Sequence, residues 1–379
     1  MNDTIQLAMN WRSATLLVLS TAILLNLALL WGRGIERAST VWLAAFSGSI
    51  IVTSVPYIIG FIGVYDRWPG LSFLPVDLIP LFGPLFYLHA HTLMKAHVPR
   101  AKMALLLAPG AFYWLYQVWA FTALDGSSEK FAYAQTIHDP FVSPTVAIIS
   151  ILLGIAAVVA VWRMKTTYMT WIDNQRADGS MFRPVWLVHF LYLALPLLFV
   201  WVLEYGLGLA FSLNYFERFW AYSAILALTH FLTLSAVANV QLPFPKMTYA
   251  EPNAPASITE AGRDWAEEGQ KLKRLVQDNE WFLEPRFSLD DIARRSGLNQ
   301  NYASRAINRG LGVSFNHFIN EMRVAYAKRL IDAGSNNFLD VALASGFGSK
   351  ASFNRAFRQH INQTPSHYRS QAYQNVKST

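Results

Sequence analysis

Long runs of uncharged, mostly apolar residues dominate the first two-thirds of this chain. A helix that crosses a lipid bilayer needs about 20 such residues. Seven runs of this kind lie at residues 13–32, 38–65, 78–94, 103–124, 140–162, 184–203 and 219–245. The third run is the shortest, but apolar residues continue upstream to Leu71. The pattern predicts a bundle of seven membrane-spanning helices in residues 1–240, whose first helix is a retained anchor because no small-residue cleavage site follows it.

The chain consists of two parts that differ in composition. Hydrophobic residues make up 53% of its 379 residues and charged residues only 15%, which is too apolar for an ordinary soluble protein. Residues 1–245 carry 13 Lys and Arg against 11 Asp and Glu, a net charge of +2, whereas residues 286–379 carry 13 against 5, a net charge of +8. The lack of cysteine excludes disulfides, thiolate zinc sites and cysteine nucleophiles. We therefore expect an apolar membrane part followed by a basic soluble domain.

The basic residues of the predicted loops indicate the orientation in the membrane. Cytoplasmic loops carry an excess of Lys and Arg. The loops after runs one, three and five hold nine basic residues, whereas the N-terminal tail and the other loops hold four. This asymmetry predicts an N-terminus outside the cell and, after an odd number of crossings, a C-terminal domain in the cytoplasm. The lipid bilayer of the inner cell membrane is then a partner of the chain.

Five ionisable residues within or beside the apolar runs are candidates for ligand sensing. They are Asp77, His89, His189, Glu204 and His230. Such groups are costly in a membrane and usually face the bundle interior or a wet cavity, so they could contact an unidentified small-molecule effector. The simpler interpretation is that Asp77 and Glu204 lie at the membrane interface, where water solvates them. Because His89 and His91 point to different faces of a helix, the sequence predicts no metal site, and nothing in it indicates a cofactor.

Residues 241–262 have the composition of a linker. They contain four prolines and several small residues, which argues against a continuous helix and for a semi-rigid tether. The stretch after this linker has helical periodicity, with Leu272, Leu275 and Val276 on one side. It is predicted to be the first helix of a soluble domain at residues 263–379.

An internal repeat organises the last hundred residues. The stretch SLDDIARRSGLNQNYASRAINRG aligns with NFLDVALASGFGSKASFNRAFRQ. In each copy a polar residue can cap a first helix, a glycine suits the turn, and another polar residue can cap a second helix. These residues are Ser288, Gly297 and Asn299 in the first copy and Asn337, Gly346 and Ser349 in the second. The repeat predicts two helix-turn-helix units, at about residues 288–310 and 337–360, in an all-α domain.

The second helix of each unit has an apolar face and a polar, basic face. The apolar faces consist of Ala303, Ala306 and Ile307 in the first unit and Phe353, Ala356 and Phe357 in the second. The opposite faces carry Asn301, Ser304, Arg305 and Asn308 in the first unit and Lys350, Asn354, Arg355 and Arg358 in the second. Amides, hydroxyls and arginines suit base-edge hydrogen bonding in a major groove, and Arg and Lys also neutralise phosphates. A merely solvated helix face is the alternative, but two matching copies on a strongly basic segment favour DNA binding.

Residues 271 to about 370 resemble the DNA-binding domain of the AraC/XylS family of bacterial transcription regulators. The resemblance rests on the stretches LGVSFNHFINEMRVAYAKRL and GFGSKASFNRAFRQHINQTPSHYR. It implies two helix-turn-helix units joined by a long helix, here from Phe315 to Ala333, with promoter DNA and RNA polymerase as partners. The chain departs from the family pattern at Ala303, Asn308, Gly310 and Asn362. The apolar part resembles, by architecture alone, the multi-span N-terminal domains of some regulators of this family.

These features predict a membrane-anchored, one-component transcription regulator, with homodimerisation as a candidate means of control. An N-terminal membrane domain would sense a signal and, through the linker, change how the C-terminal domain engages a promoter. The predicted DNA-contacting residues are Asn301, Ser304, Arg305, Asn308, Arg309, Lys350, Ser352, Asn354, Arg355 and Arg358.

Two other functions stay open at the level of sequence. One is a membrane transporter or receptor whose basic cytoplasmic tail is a regulatory appendage, and its flux or signalling would survive deletion of residues 263–379. The other is a soluble regulator with an unusually apolar core, which would be recovered without detergent. The sequence contains no Ser-His-Asp order, phosphate-binding loop or HExxH motif, so it does not predict an enzyme.

Overall fold

The chain folds almost entirely into helices. The computed structural model describes residues 7–192, 216–240, 242–247, 263–335 and 337–377, together with positions 195, 199 and 202. Within these residues every regular element is helical, and no strand is present. Residue contacts divide the chain into one unit of Met1–Lys165 and Pro184–Lys246 and a second unit of Thr166–Arg183 and Met247–Thr379. The chain therefore crosses between the units three times.

Helices of very different length build the first unit, and most of them are apolar. They are α1 (Trp11–Arg33), α2 (Arg37–Phe61), α3 (Phe82–Met94), α4 (Arg100–Ala123), α5 (Gly126–Tyr133), α6 (Ser143–Gln175) and α7 (Phe219–Asn239). The π-helical segment Ala134–Val142 joins α5 to α6, and α6 ends in the second unit. Helix α1 begins with a capping box between Asn10 and Ser13 and ends at Gly34, which adopts the left-handed conformation.

Five helical stretches in the described part are long and apolar enough to cross a membrane. They are Trp11–Arg33, Arg37–Phe61, Arg100–Ala123, Gly126–Gln175 and Phe219–Asn239, and they correspond to predicted runs one, two, four, five and seven. The third run contains an α-helix of only 13 residues, α3, which follows two 3-10 turns. Pro75 and Pro80 lie in this stretch, where a missing N–H and a restricted φ interrupt an α-helix. Eight of the 20 residues of the sixth run lie outside the described residues.

A few polar contacts connect the helices of this unit. The Asn26 amide in α1 donates to Thr233 Oγ1 of α7 at 3.1 Å and lies 3.2 Å from His230 Nδ1. Ser39 of α2 contacts His89 Nδ1 of α3 at 2.9 Å. Hydrogen bonds of this kind stabilise helix pairs in apolar surroundings, because the hydrophobic effect does not drive helices together there.

The second unit contains shorter helices of ordinary soluble character. They are α8 (Trp265–Asp278), α9 (Leu289–Ser296), α10 (Gln300–Arg305), α11 (Phe315–Asp332), α12 (Phe338–Ala344), α13 (Lys350–Ile361) and α14 (Pro365–Lys377). The predicted long helix is confirmed as α11, and the predicted first helix as α8. In α8 the side chains of Leu272 and Val276 are buried as expected, whereas Leu275 is 37% exposed.

Two apolar cores stabilise this unit, and α11 contributes to both. One core packs α8, α9 and α10 against the first half of α11, around Ile292, Ile307 and Phe318. The other packs α12 and α13 against its second half, around Val341, Phe353 and Phe357. Each fully buried side chain of this size contributes about 1.5–3 kcal/mol relative to an exposed one. The long helix therefore fixes the two helix-turn-helix units to one scaffold.

The start of the predicted linker is packed against the first unit. The backbone N–H of Phe244 donates to Glu36 Oε1 at 2.7 Å, and Lys246 pairs with the same carboxylate. Lys246 Nζ also donates to the carbonyl oxygens of Thr92 at 2.9 Å and Leu93 at 3.1 Å. Residues 248–262 of the linker lie outside the described residues.

Candidate nucleic-acid interface

The first helix-turn-helix unit consists of α9, a tight turn and α10. The hydroxyl of Ser288 accepts the N–H of Asp291 at 3.2 Å, and the carboxylate of Asp291 accepts the N–H of Ser288 at 3.0 Å. Gly297 ends α9 with a φ of +69°, and the side chain of Asn299 accepts the N–H of Tyr302 at 2.7 Å to begin α10. The predicted caps and turn of this unit are confirmed.

A close backbone approach explains why Gly310 departs from the family pattern. After Arg305 the chain continues as a π-helical turn, Ala306–Gly310. A Cβ atom on Gly310 would lie 2.0 Å from the carbonyl oxygen of Trp265, and one on Gly269 would lie 2.7 Å from that of Ala306. Glycine at both positions lets α8 pack directly on the end of the first recognition helix.

The second helix-turn-helix unit repeats this construction with α12 and α13. The side chain of Asn337 accepts the N–H of Leu339 at 2.9 Å at the start of α12. Gly346 forms the turn with a φ of +81°, and the hydroxyl of Ser349 accepts the N–H of Ser352 at 3.2 Å to begin α13. These caps and this turn are also confirmed.

The two recognition helices bury their predicted apolar faces. Ala303, Ala306, Ile307, Phe353 and Phe357 are fully buried, and Ala356 is nearly so. Of the predicted DNA-contacting residues, the exposed ones are Asn301, Asn308, Arg309, Lys350, Asn354, Arg355 and Arg358. Ser304, Arg305 and Ser352 are half-buried. The structure thus brings the predicted residues to the solvent-facing side of the two helices.

Some candidate side chains already make hydrogen bonds within their own helix. Ser352 Oγ donates to the carbonyl oxygen of Ser349 at 2.8 Å, so this hydroxyl takes part in helix capping. The Asn308 amide donates to Ser304 Oγ at 3.1 Å. The exposed amide of Asn354 and the exposed guanidinium of Arg355 are therefore better suited than Ser352 to contact DNA.

The charge on the recognition helices has one sign. Helix α13 carries Lys350, Arg355 and Arg358, and residues 300–310 carry Arg305 and Arg309. Neither stretch contains Asp or Glu. Lys and Arg side chains that pair with DNA phosphates release the counterions condensed on the DNA. A surface of this kind therefore favours association with DNA.

Arg323 of α11 is a structural residue that the sequence analysis missed. It is 1% exposed, and its guanidinium donates to the carbonyl oxygens of Phe282 at 2.6 Å and Glu284 at 2.7 Å. Its burial lowers the pKa of Arg323 to about 10. The guanidinium lies 5.6 Å from the ring centre of Phe347 in the second helix-turn-helix unit. The apolar residues around Arg323 in its helix could have indicated that its side chain is buried. Its carbonyl partners could not be predicted, because they lie about 40 residues away in the chain.

The candidate sensing residues of the first unit do not form one cluster. Asp77 accepts hydrogen bonds from Tyr113 Oη at 3.2 Å and from the N–H of Ile79 at 3.1 Å. His89 is buried against Ser39, His230 contacts Asn26, and His189 is exposed. Glu204 lies outside the described residues. Within the described residues no group of three or more His, Cys, Asp or Glu side chains could hold a metal ion.

The first unit contains a partly open cavity of about 160 Å³. Its described lining is mostly apolar and includes Phe46, Phe82, Phe86, Phe190 and Tyr222. The hydroxyls of Ser54, Ser150 and Thr229 also line it, but each donates to a carbonyl of its own helix. An apolar protein cavity of about 150 Å³ can stay dry and bind benzene. The cavity is therefore suited to a small apolar molecule.

Comparisons with known proteins match the C-terminal domain. A family model described as a helix-turn-helix domain matches residues 292–371. An uncharacterized HTH-type transcriptional regulator of Staphylococcus aureus strain COL is 37% identical over 99 residues, which are 26% of this chain and 13% of the relative. The probable transcription factor PqrA of Proteus vulgaris is 31% identical over 98 residues, which are 26% of this chain and 76% of the relative. No solved structure matches the chain.

The matched family model spans residues 292–371, which contain most of both helix-turn-helix units and none of the apolar part. The chain spans only 13% of the length of the staphylococcal relative but about three-quarters of PqrA. Its duplicated units and exposed basic helices have the architecture that DNA-binding domains of this kind require. The chain therefore belongs, through its C-terminal domain, to the AraC-type helix-turn-helix transcription regulators.

Proposed function

We propose that this protein is a membrane-anchored, one-component transcription regulator that binds promoter DNA through α10 and α13. The observation that carries the proposal is the pair of matching helix-turn-helix units on one scaffold. Each unit buries the apolar face of its recognition helix and exposes a basic face that contains no acidic residue. A surface of this kind favours DNA binding in both units.

The two recognition helices would enter successive segments of the major groove, about one helical turn apart on the same face of the DNA. Asn301 and Asn354 have amides suited to adenine edges, and Arg355 has the fork-shaped guanidinium that suits guanine. Lys350 and Arg358 would neutralise phosphates. In this arrangement base contacts provide the specificity and phosphate contacts provide the position.

Membrane anchoring is supported by the length and surface of the apolar helices. In the described part of the chain five stretches are long enough to cross a bilayer, and many of their apolar side chains face outward. Leu105 is 75% exposed and Phe112 72% exposed, as expected for residues that contact lipid. Soluble proteins rarely expose large contiguous apolar patches. The distribution of basic residues supports an inner-membrane orientation with the N-terminus outside and the DNA-binding domain in the cytoplasm.

The cavity of the first unit supports a sensing role for the membrane domain. Its size and apolar lining favour a small apolar effector that partitions into the bilayer. Effector binding would change the orientation or the homodimerisation of the DNA-binding domain. The bound domain would then alter transcription through contact with RNA polymerase. Mapping the DNA occupied in cells with and without the protein would identify the regulated genes and, through them, the signal.

Replacement of Arg355 tests the DNA-binding surface. The substitution Arg355→Ala removes an exposed guanidinium from α13 and should weaken specific operator binding by about 1–3 kcal/mol. It should also relax the preference for the base pair that Arg355 contacts. The measurement is a titration of the full-length protein in lipid nanodiscs with operator and scrambled DNA at fixed salt concentration.

The control for this experiment is Arg274→Ala, which removes an exposed arginine from α8, outside both helix-turn-helix units. It should leave operator affinity nearly unchanged. Unchanged affinity and sequence preference in Arg355→Ala would contradict the assigned surface. The alternative of a transporter or receptor with a regulatory tail instead predicts flux or signalling that survives deletion of residues 263–379.

A further inference from the structure

The segment between α6 and the next apolar run lies with the DNA-binding domain. Residues Thr166–Arg183, which the sequence analysis places in the membrane part, belong to the second unit. The segment forms a compact turn after α6: the N–H of Gly179 donates to the carbonyl of Arg176 at 3.3 Å, and Arg183 pairs with Asp173 at 2.8 Å. Contacts within the segment thus help to hold its conformation.

Four residues of this loop, 175–178, which we call the latch, dock on the first helix-turn-helix unit. Arg176 forms an antiparallel bridge with Ser288, and the N–H of Ala177 donates to the carbonyl of Phe287 at 3.1 Å. Ala177 is 3% exposed and belongs to the apolar core around Ile292 and Phe318. The latch therefore adds a side chain to the core of the first unit.

Two asparagines of α11 hold the backbone of the latch. The Asn316 amide donates to the carbonyl oxygens of Arg176 at 3.2 Å and Ala177 at 2.6 Å. Asn320 donates to the same carbonyl of Ala177 at 3.4 Å. Within the latch, Asp178 accepts two hydrogen bonds from the guanidinium of Arg176, at 2.7 and 3.1 Å. The docked conformation is thus specified by backbone and side-chain contacts together.

The latch also reaches the start of the first recognition helix. Gln300 is the first residue of α10, and its Nε2 donates to Gln175 Oε1 at 2.7 Å. Helix-turn-helix proteins place the N-terminal residues of this helix against base edges in the major groove. In this structure that end of α10 is engaged by the last residue of α6.

We propose that the latch is an autoinhibitory contact, which occupies the start of α10 and lowers the affinity of the first helix-turn-helix unit for DNA until α6 withdraws it. This inference rests on the proposed DNA-binding function. The matched domain begins far downstream of the latch, so the family fold does not include this segment. A movement of α6 would reach α10 directly, without passing through the Pro-rich linker.

A reversible crosslink tests the latch in the full-length protein. The chain contains no cysteine, so Arg176→Cys with Ser288→Cys creates a single thiol pair. Bridged antiparallel residues have Cα atoms about 4.5–5.5 Å apart, within the range of about 4.4–6.8 Å that a disulfide spans. Operator binding is measured in nanodiscs before and after oxidation. We expect the oxidised pair to bind at least about tenfold more weakly than the reduced pair, and reduction to restore binding.

The two single-cysteine variants are the controls, since Ser288→Cys removes a helix cap and Arg176→Cys removes an ion pair. Their operator affinity should not respond to oxidation. An independent variant, Ala177→Asp, inserts a charge into the apolar core from the latch side and should expel the latch. It should raise operator affinity several-fold and leave the matched domain intact.

Each outcome decides between the hypotheses. Equal operator affinity in the oxidised and reduced pair would overturn autoinhibition. Failure of the disulfide to form would also overturn it. So would a loss of operator affinity in a folded Ala177→Asp variant. Sensitivity of the reduced protein to Arg355→Ala would at the same time support the proposed function. If neither the wild type nor the reduced pair binds any selected DNA, the proposed function fails together with the latch.

Discussion

At the scale of single residues, the two turn glycines have the same role in the repeat but different surroundings. Gly297 and Gly346 both adopt a left-handed backbone, with φ of +69° and +81°. A Cβ atom on Gly297 would meet nothing within 4 Å, whereas one on Gly346 would lie 2.5 Å from the carbonyl oxygen of Leu283. Only the second turn therefore combines backbone strain with a close approach between segments.

This difference predicts unequal effects of alanine at the two turns. Gly297→Ala should cost about 1 kcal/mol, the penalty for a Cβ in the left-handed region. Gly346→Ala should cost at least about 2–3 kcal/mol, because backbone must also move. Amide hydrogen exchange of the full-length protein measures the opening free energy of residues 289–305 in Gly297→Ala and of residues 338–361 in Gly346→Ala. Equal loss of protection would show that the contact with Leu283 carries no energetic weight.

At the scale of elements, the two halves of the DNA-binding domain are joined by α11. His317 at its start lies with its ring centre 4.4 Å from that of His360 at the end of α13. Burial lowers the pKa of His360, repulsion from His317 adds to the effect, and Glu321 opposes it. Protonation of His360 would therefore weaken the packing of the second recognition helix on its scaffold.

The domain should accordingly lose stability in mild acid. The folded-state pKa of His360 lies below its ordinary value of 6.5, so the unfolded chain binds more protons as the pH falls below that value. The contribution of neutral His360 to the free energy of unfolding is complete above about pH 6.5. This contribution is lost as the pH falls through the folded-state pKa of His360. Exchange protection of α13 should decrease over this range.

His360→Gln should flatten this pH dependence, because glutamine keeps a polar side chain but does not titrate. His367→Gln, which changes an exposed histidine of α14, is the matched control and should leave the profile as in the wild type. An unaltered acid profile in His360→Gln would assign the loss of stability to other groups.

At the scale of the whole molecule, an apolar unit and a basic, DNA-binding unit share one chain. The chain passes between them at residues 165 and 166, 183 and 184, and 246 and 247. Two of these connections flank the latch, and the third is the Pro-rich linker. If the apolar unit senses a signal as proposed, this connectivity gives it two covalent routes to the DNA-binding domain.

The proposed topology predicts where the C-terminus lies. The protein should sediment with membranes and dissolve only with detergent. A fluorescent protein that matures only in the cytoplasm should be fluorescent when fused after Thr379, whereas a phosphatase that needs the periplasm should be inactive there. An active phosphatase fusion would place the tail away from the chromosome and contradict the proposed function.

Most of the helices and both helix-turn-helix units are predictable from the sequence alone. Their signals are local: Ser288 bonds to Asp291, Asn299 to Tyr302, and Ser349 to Ser352, each three residues away. Apolar residues at helical spacing likewise marked the faces that α10 and α13 bury. The sequence was less informative about the third run, where irregular backbone surrounds a helix too short to cross a bilayer alone.

Which distant segments meet depends on long-range packing and is not predictable from the sequence. The docking of Ala177 on Phe287 and Asn316, the burial of Arg323 beneath carbonyls of residues 282 and 284, and the approach of Gly310 to Trp265 join positions about 40 to 140 residues apart. The residues near these positions in the chain do not indicate the partner, because each contact depends on the shape and hydrogen-bonding groups of another element. Local sequence signals therefore specify the DNA-binding helices, and long-range packing specifies which segments pack against them.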